Sequence, residues 1–251
     1  MRLMIGKNNV PVELFKNYKI NEVSIPVQGL SREVQCRLHE TDPEVFNQIF
    51  IREEYKSALL PEDAKLIIDA GANVGYSVLY FKRRYPAATI IALEPDRENY
   101  KMLCRNCGHL EGVFLLNAAL WSRCEKLELK STGEAGAALG SWGVRTVSIS
   151  GEDKATLTDA YDVPALLNKF GVDSVDICKI DVEGAEGEIF REAHQAWFDR
   201  VRLFILETHE RFAPGSDAAV KAALNAGLWE YARKAENQFF RRKSIQQQTD
   251  S

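Results

Sequence analysis

The 251-residue chain is 45% hydrophobic and 27% charged, with a net charge of -4. It is long enough for one sizeable core with a small appended element, and no run reaches the ~18 apolar residues that a membrane span needs. The balance of 32 basic against 36 acidic residues argues against a dedicated nucleic-acid binder, which needs a basic surface.

The first twenty residues, MRLMIGKNNVPVELFKNYKI, hold neither a continuous apolar stretch nor a small-residue cleavage site. No secretion signal is read, and a cytoplasmic address is the expectation. Five cysteines, an odd count, then point to reduced thiols. Cys104 and Cys107 form a C-x-x-C followed by His109 and Cys124, but within NYKMLCRNC the three-residue spacing repeats one helix face. The spacing of a closed zinc site is not met. The basic group Arg233, Lys234, Arg241, Arg242 and Lys243 reads as solvated strand edges.

Residues 1–60 form an N-terminal extension. VSIPVQGL and VQCRLHE predict a hairpin, and Thr41 or Asp42 caps a helix in PEVFNQIFIREEY with Pro43 at its first position. This extension is expected to cap the acceptor side of any site. From residue 61 to 243 the rhythm changes to alternating strands and helices. Lys65–Asp69 is a short buried strand. Val74–Tyr85 has helical spacing, and Pro86 stops it. Thr89–Glu94 is the second strand, Asp96 caps a helix running to about Cys107, and VFLLNAAL after Gly112 is the third strand.

KLELK and VRTVSI alternate as half-exposed strands around the small-residue linker STGEAGAALGSWG. Asp162 opens a helix that ends near Gly171, and VDICKID is a strand. A helix after Gly184 runs to about Ala193, and RLFILE is another strand. Ser216 or Asp217 opens a helix ending at Gly227, and WEYA with NQFFRR makes a closing antiparallel pair. The tail 244–251 has a disordered composition. The fold class is α/β, a Rossmann-like sheet that is mostly parallel, covered on both faces and closed by an antiparallel pair.

The segment LIIDAGANVGYSV carries the site. A strand ends in Asp69, and Gly71 and Gly75 frame a tight turn into a helix, where a ligand can approach the backbone. Glu94 closes the next strand 25 positions after Asp69, where a carboxylate can accept both hydroxyls of a ribose. The dinucleotide fingerprint G-x-G-x-x-G has Asn73 at its second glycine here, which counts against a nicotinamide-dependent reductase. D-x-G-x-x-x-G instead resembles motif I of class I methyltransferases, whose cofactor has no phosphate.

From about Thr41 onward the chain resembles the FkbM family of methyltransferases. The resemblance rests on TDPEVFNQIFIREEY, IDAGANVGYSVLYF, IALEPDRENYKMLCRN, NAALW, and above all KIDVEGAEGEIFREA followed by LFILETHE. It implies S-adenosyl-L-methionine as cofactor and O-methylation of a hydroxyl on a sugar or natural-product small molecule. It also implies that Gly71, Asn73 and Gly75 lie against the cofactor and that Asp69 orients this turn or the cofactor's amino-acid moiety. Glu94 would bind the ribose and Asn117 the adenine. Ala118 and Trp121 would line the adenine pocket, Trp121 having core packing as an equal reading, and Tyr55 would close over the cofactor.

Transfer from a sulfonium needs alignment, exclusion of water and a group to take the hydroxyl proton. Asp181, Glu207 and His209 follow strand ends at the same edge, with Glu183 and Glu186 nearby. Asp181 would accept from the cofactor amine or the acceptor hydroxyl. His209 has the natural pKa of a base. The set Asp181, Glu207 and His209 could alternatively hold magnesium, although no metal is assigned. Amino-methylating enzymes acting on nucleic acids carry an Asn/Asp-Pro-Pro-aromatic motif where this chain has IDVEGAE. That alternative, another N-methyltransferase and a non-catalytic cofactor-binding protein are the competing readings.

Overall fold

The computed structural model describes residues 21–130, 145–148, 156–191, 195–225 and 227–243. The first twenty residues, the linker 131–143, the helix end at Ala193 and the tail 244–251 lie outside them.

Two short strands, β1 (Glu22–Ile25) and β2 (Val34–Arg37), pair antiparallel as the expected hairpin. Helix α1 (Asp42–Phe46) begins with Pro43 in its first turn and passes into a π-helical turn over Asn47–Ile51. Thr41 makes no side-chain cap. Asp42 instead accepts from the backbone N–H and guanidinium of Arg37 at 2.8–2.9 Å, tying helix to hairpin.

The main domain follows with β3 (Leu66–Ala70), α2 (Tyr76–Arg84), β4 (Thr89–Leu93) and α3 (Arg97–Cys107). Asp96 caps α3 by accepting from the N–H groups of Glu98 and Asn99, the cap its sequence position predicts. The run VFLLNAAL does not form one strand. It breaks at Asn117 into β5 (Val113–Leu116) and β6 (Ala118–Leu120), which belong to different sheets. The local pattern does not show that break, because Asn117, the one polar residue in the run, turns the chain by tertiary bonds from its amide to the carbonyls of Glu94 and Pro95.

Next come β7 (Glu125–Lys130), β8 (Arg145–Ser148) and β9 (Thr156–Tyr161). β6, β9, β7 and β8 make a four-stranded second sheet. β9, TLTDAY, is not legible as a strand, because half of its residues are polar and its ladder partners lie in other segments of the chain. Helix α4 (Val163–Phe170) is capped by Asp162 and ends at left-handed Gly171, as expected. β10 (Val175–Ile180), α5 (Glu186–Arg191), α6 (Gln195–Phe198) and β11 (Val201–Leu206) follow. α7 (Ser216–Ala223) stops one turn before Gly227, and its N-cap is Gly215 rather than Ser216 or Asp217. β12 (Trp229–Lys234) and β13 (Asn237–Arg242) close the chain as the expected antiparallel pair.

The large sheet has the order β12-β13-β11-β10-β3-β4-β5. Its five strands from β11 to β5 are parallel, and β13 adds antiparallel to β11. This is the Rossmann-like sheet read from the sequence. Strand alternation divides its side chains between two cores. Ile68, Ala70, Ile91, Leu93, Cys178, Ile180, Phe204 and Leu206 face helices α4 to α7. Ile67, Ile90, Ala92, Ile177, Leu203 and Ile205 face α1 to α3 and the hairpin. Ile25, Val34, Phe46 and Ile49 belong to that second core, so the hairpin and α1 pack on the sheet domain itself. Among the described residues no helix is long and apolar enough to cross a membrane.

Gly75 takes φ 93° at the start of α2. A Cβ there would stand 2.6 Å from Cys107 Sγ and 2.9 Å from Leu103 Cδ1, so the glycine lets α2 and α3 touch. Gly75→Ala is expected to cost about 1–3 kcal/mol through overpacking. Urea denaturation would read this as a lower midpoint, and an unchanged midpoint would show that the helices part freely.

Candidate active site

In an open α/β sheet ligands bind beyond the carboxyl ends of the parallel strands. Here the exits of β3, β4, β10 and β11 line one cleft that opens to solvent. Its floor is the turn after β3. Gly71 has φ 75°, and a Cβ on it would lie 1.7 Å from the carbonyl oxygen of Asp181. The expected reason for this glycine was room for a ligand, but the nearer constraint is the backbone leaving β10. The N–H groups of Gly71 and Ala72 both donate to the Leu93 carbonyl, which fastens the turn to β4.

Glu94 is buried at the end of β4. Its Oε2 accepts from the Asn73 N–H at 2.8 Å and its Oε1 from the Asp96 N–H at 2.9 Å. Burial pushes its carboxyl up to about 7, against the pull of those two donors. Asn73 sits at φ 50°, and its buried Oδ1 has no partner.

Gly71, Asn73, Glu94, Asp181 and Glu207 line the cleft together, joined by Tyr55, Ala119 and Leu120. Other expected residues do not reach it. Asp69 is fully buried beneath the turn. Gly75 packs on α3. Asn117 braces the exit of β4, and Ala118 lies within the core, so the wall expected of them is formed by Ala119 and Leu120. Trp121 is buried in the same core, which is its packing reading. Tyr55 meets the face of Phe81 at 5.5 Å, which fixes it at the cleft.

Two features were not read from the sequence. Lys179, on β10, is 2% exposed yet touches the cleft. Its Nζ lies 3.3 Å from Asp69 Oδ1 and 3.4 Å from Asp181 Oδ2, and it donates to the Gly71 carbonyl at 2.6 Å. Burial opposes its charge, but the Asp69 carboxylate holds it above the ordinary lysine range. The signal was present as the lysine of KIDVEGAE, a charge inside an otherwise apolar buried strand. Glu54 and Glu236 also line the cleft, one from beyond the π-helical turn and one from the β12–β13 turn.

His209 occupies a different chemical position from the one expected. Its Nδ1 is 2.7 Å from Oε1 of the fully buried Glu186. Its Nε2 is 3.4 Å from Glu183 and Glu207 and 3.7 Å from Asp181. Burial disfavours the imidazolium, yet the bonds to Glu186 and Glu207 raise its pKa well above the usual histidine value. The carboxylates around it thus favour its protonated form, which has no free lone pair for base work. Burial and the Asp181 charge push the Glu183 and Glu207 carboxyls upward. Asp181, Glu207 and His209 bring one ligand atom each within 4.8 Å of one another. The set fits magnesium poorly, since that ion prefers oxygen ligands and one of the three ligands here is an imidazole nitrogen.

The basic group near the carboxyl end is largely paired. Arg241 meets Glu230, Arg242 meets Asp199, and Lys234 donates to the Glu53 carbonyl.

A family model for the methyltransferase FkbM domain matches residues 69–236, more than half of the chain. The chain belongs to the FkbM methyltransferase family. It is 29% identical over 194 residues to methyltransferase sdnD of Sordaria araneosa, covering 66% of this chain and 74% of that protein. It is 25% identical over 205 residues to methyltransferase 1 of Beauveria bassiana, covering 72% and 78%. It is 27% identical over 224 residues, 76% of its length, to 10% of the AMB antimetabolite synthetase AmbE of Pseudomonas aeruginosa. Among solved structures, the fibrillarin pre-rRNA processing protein of Methanococcus jannaschii aligns at 14% identity over 90% of this chain and 84% of that one, TM-score 0.46. A methyltransferase from Geobacter sulfurreducens aligns at 12% identity over 80% and 86%, TM-score 0.44. The chain is thus a methyltransferase, and the resemblance carried by KIDVEGAE identified the right family.

Four titratable groups at this edge of the methyltransferase shift in one direction. Glu94, Glu183, Glu207 and His209 all have raised pKa values, so these four groups bind more protons in the folded protein than in the unfolded one. A group whose folded pKa is raised stabilises fully below its unfolded pKa and loses that contribution as pH rises through its folded pKa. For Glu94 the loss runs from about pH 4.5 to about 7, and for His209 it begins above about pH 6.5. Thermal melting of the ligand-free protein should therefore fall as pH rises from about 6 to 9. His209→Gln should flatten that slope above neutrality, and an unaltered slope would mean that His209 is not charged.

Proposed function

We propose that this methyltransferase uses S-adenosyl-L-methionine to O-methylate a hydroxyl of a sugar or natural-product small molecule. The observation that carries the cofactor is the charge of the cleft. Among its described lining residues Glu54, Glu94, Asp181, Glu183, Glu207 and Glu236 face a single base, Lys179, which is already paired with Asp69 and Asp181. Burial keeps Glu94, Glu183 and Glu207 partly protonated near neutrality, but these lining residues still offer a pyrophosphate no unpaired cation, whereas a sulfonium is attracted by the charge that remains. The match to part of an antimetabolite synthetase favours a small biosynthetic acceptor over a nucleic acid.

The cofactor supplies a methyl group activated on a sulfonium sulfur. Glu94, preorganised by two backbone donors, takes the ribose hydroxyls with the lone pairs it has left. Ala119 and Leu120 form an apolar wall for the adenine. Asp181 receives the amine of the methionine moiety. Glu207 faces the acceptor hydroxyl and takes its proton, its raised pKa suiting a base near neutrality. His209 keeps Glu183, Glu186 and Glu207 together as their counter-ion. The N-terminal segment closes the acceptor side through Val45, Gln48, Ile49 and Glu54.

S-adenosylmethionine and its demethylated product should raise the melting temperature by mass action, and NADH should not. Stabilisation by NADH alone would overturn the reading. Glu94→Ala should weaken cofactor binding by about 1.5–3 kcal/mol in calorimetry, the range for hydrogen bonds to a charged group. Glu207→Gln should lower turnover of a hydroxyl acceptor by about 10²–10⁴-fold with cofactor affinity unchanged, and wild-type turnover should ignore chelator. Full activity of the Glu207 variant would move the base elsewhere.

A further inference from the structure

Strand alternation gives Lys179 an apolar slot. Ile177, two residues before it on β10, faces the core under α1 to α3. Asp69 occupies the matching slot on β3, where Ile67 faces the same core, and Lys179 and Asp69 are register partners on adjacent parallel strands. Both are almost completely buried, and neither Asp69 oxygen makes a hydrogen bond. Such a pair is a poor device for stability, because well-packed apolar residues commonly do as well. What apolar residues cannot do is reach further. Lys179 Nζ also meets the carbonyls of Gly71 and Ala70 and the Asp181 carboxylate, all at 2.6–3.4 Å.

We propose that Lys179 is a positioning residue which, anchored by Asp69, holds the Gly71 turn and the Asp181 carboxylate at a fixed separation to receive the amino-acid end of the cofactor. The inference rests on the cofactor proposed above. The same ammonium meets the turn leaving β3 at the Gly71 carbonyl and the carboxylate of Asp181 just after β10. Without it, the Asp181 side chain keeps its backbone position but loses the cation that faces it from below.

The experiment compares two ligands. S-adenosylmethionine has an amino-acid moiety, whereas 5′-methylthioadenosine keeps the adenine and ribose and lacks it. Asp69→Asn/Lys179→Met removes both buried charges together, so no lone charge is stranded in the core. By calorimetry its affinity for S-adenosylmethionine should fall about tenfold or more, while that for 5′-methylthioadenosine stays within about twofold. A merely structural role would weaken both equally. If this variant does not fold, Asp69→Asn/Lys179→Gln keeps a mutually hydrogen-bonded amide pair and should show the same split. Equal loss of both ligands, or no loss of either, overturns the inference and leaves the cofactor reading standing. Wild-type protein that binds neither ligand overturns the cofactor reading, and the inference falls with it.

Discussion

At Gly71 the turn that leaves β3 comes so near the backbone leaving β10 that a single Cβ would fall 1.7 Å from the Asp181 carbonyl oxygen. This close approach sets the geometry of the carboxyl edge. It brings the turn carrying Asn73 beside the loop carrying Asp181 and Glu183. The turn is also fixed to β4 through the Leu93 carbonyl, so Glu94 is held against the same floor. Three strands thus deliver their end residues to one cleft without any of those side chains having to stretch. The cost is a local backbone that only glycine tolerates, with left-handed conformations at Asn73 and Glu183 nearby.

Electrostatics imposes a second order on the same edge. Asp69, Asp181, Glu183, Glu186 and Glu207 gather within a few residues of three strand ends, and such a group would repel itself apart. Two buried cations answer that repulsion from different depths. Lys179 lies below, between Asp69 and Asp181, and His209 lies beside, between Glu186 and the rim carboxylates. The carboxylates favour the charged form of the histidine, and burial lifts the pKa of the Glu183 and Glu207 carboxyls beside it. Among the described residues that line the cleft, acidic side chains outnumber basic ones.

The second sheet and the hairpin show how the site is walled. β6 leaves the main sheet at Asn117 and pairs with β9, which puts Ala119 and Leu120 on one side of the cleft. The hairpin and α1 pack on the opposite face of the sheet from α4 to α7, and Val45 and Ile49 close the other side. Neither wall belongs to a separate body: the hairpin shares a core with Ile67 and Tyr76, while β6 shares one with Ile68 and Leu93.

Local chemistry in the sequence was enough to determine the strands β3, β4, β10 and β11, the caps at Asp96 and Asp162, the turn at Gly71 and the closing pair β12–β13. Each is written in contiguous residues, as an apolar run, a capping side chain or a glycine with no substitute. The same local pattern brought out Glu94, Asp181 and Glu207 as strand-end carboxylates, and KIDVEGAE identified the family. Only the tertiary structure decided which side chains share a surface. It put Asp69 and Lys179 together as neighbours 110 positions apart in sequence, removed Asn117 and Ala118 from the cleft in favour of Ala119 and Leu120, and surrounded His209 with acids that favour its charged form. A side chain's depth and charge state depend on what packs against it from distant strands, and no spacing within a single segment encodes that.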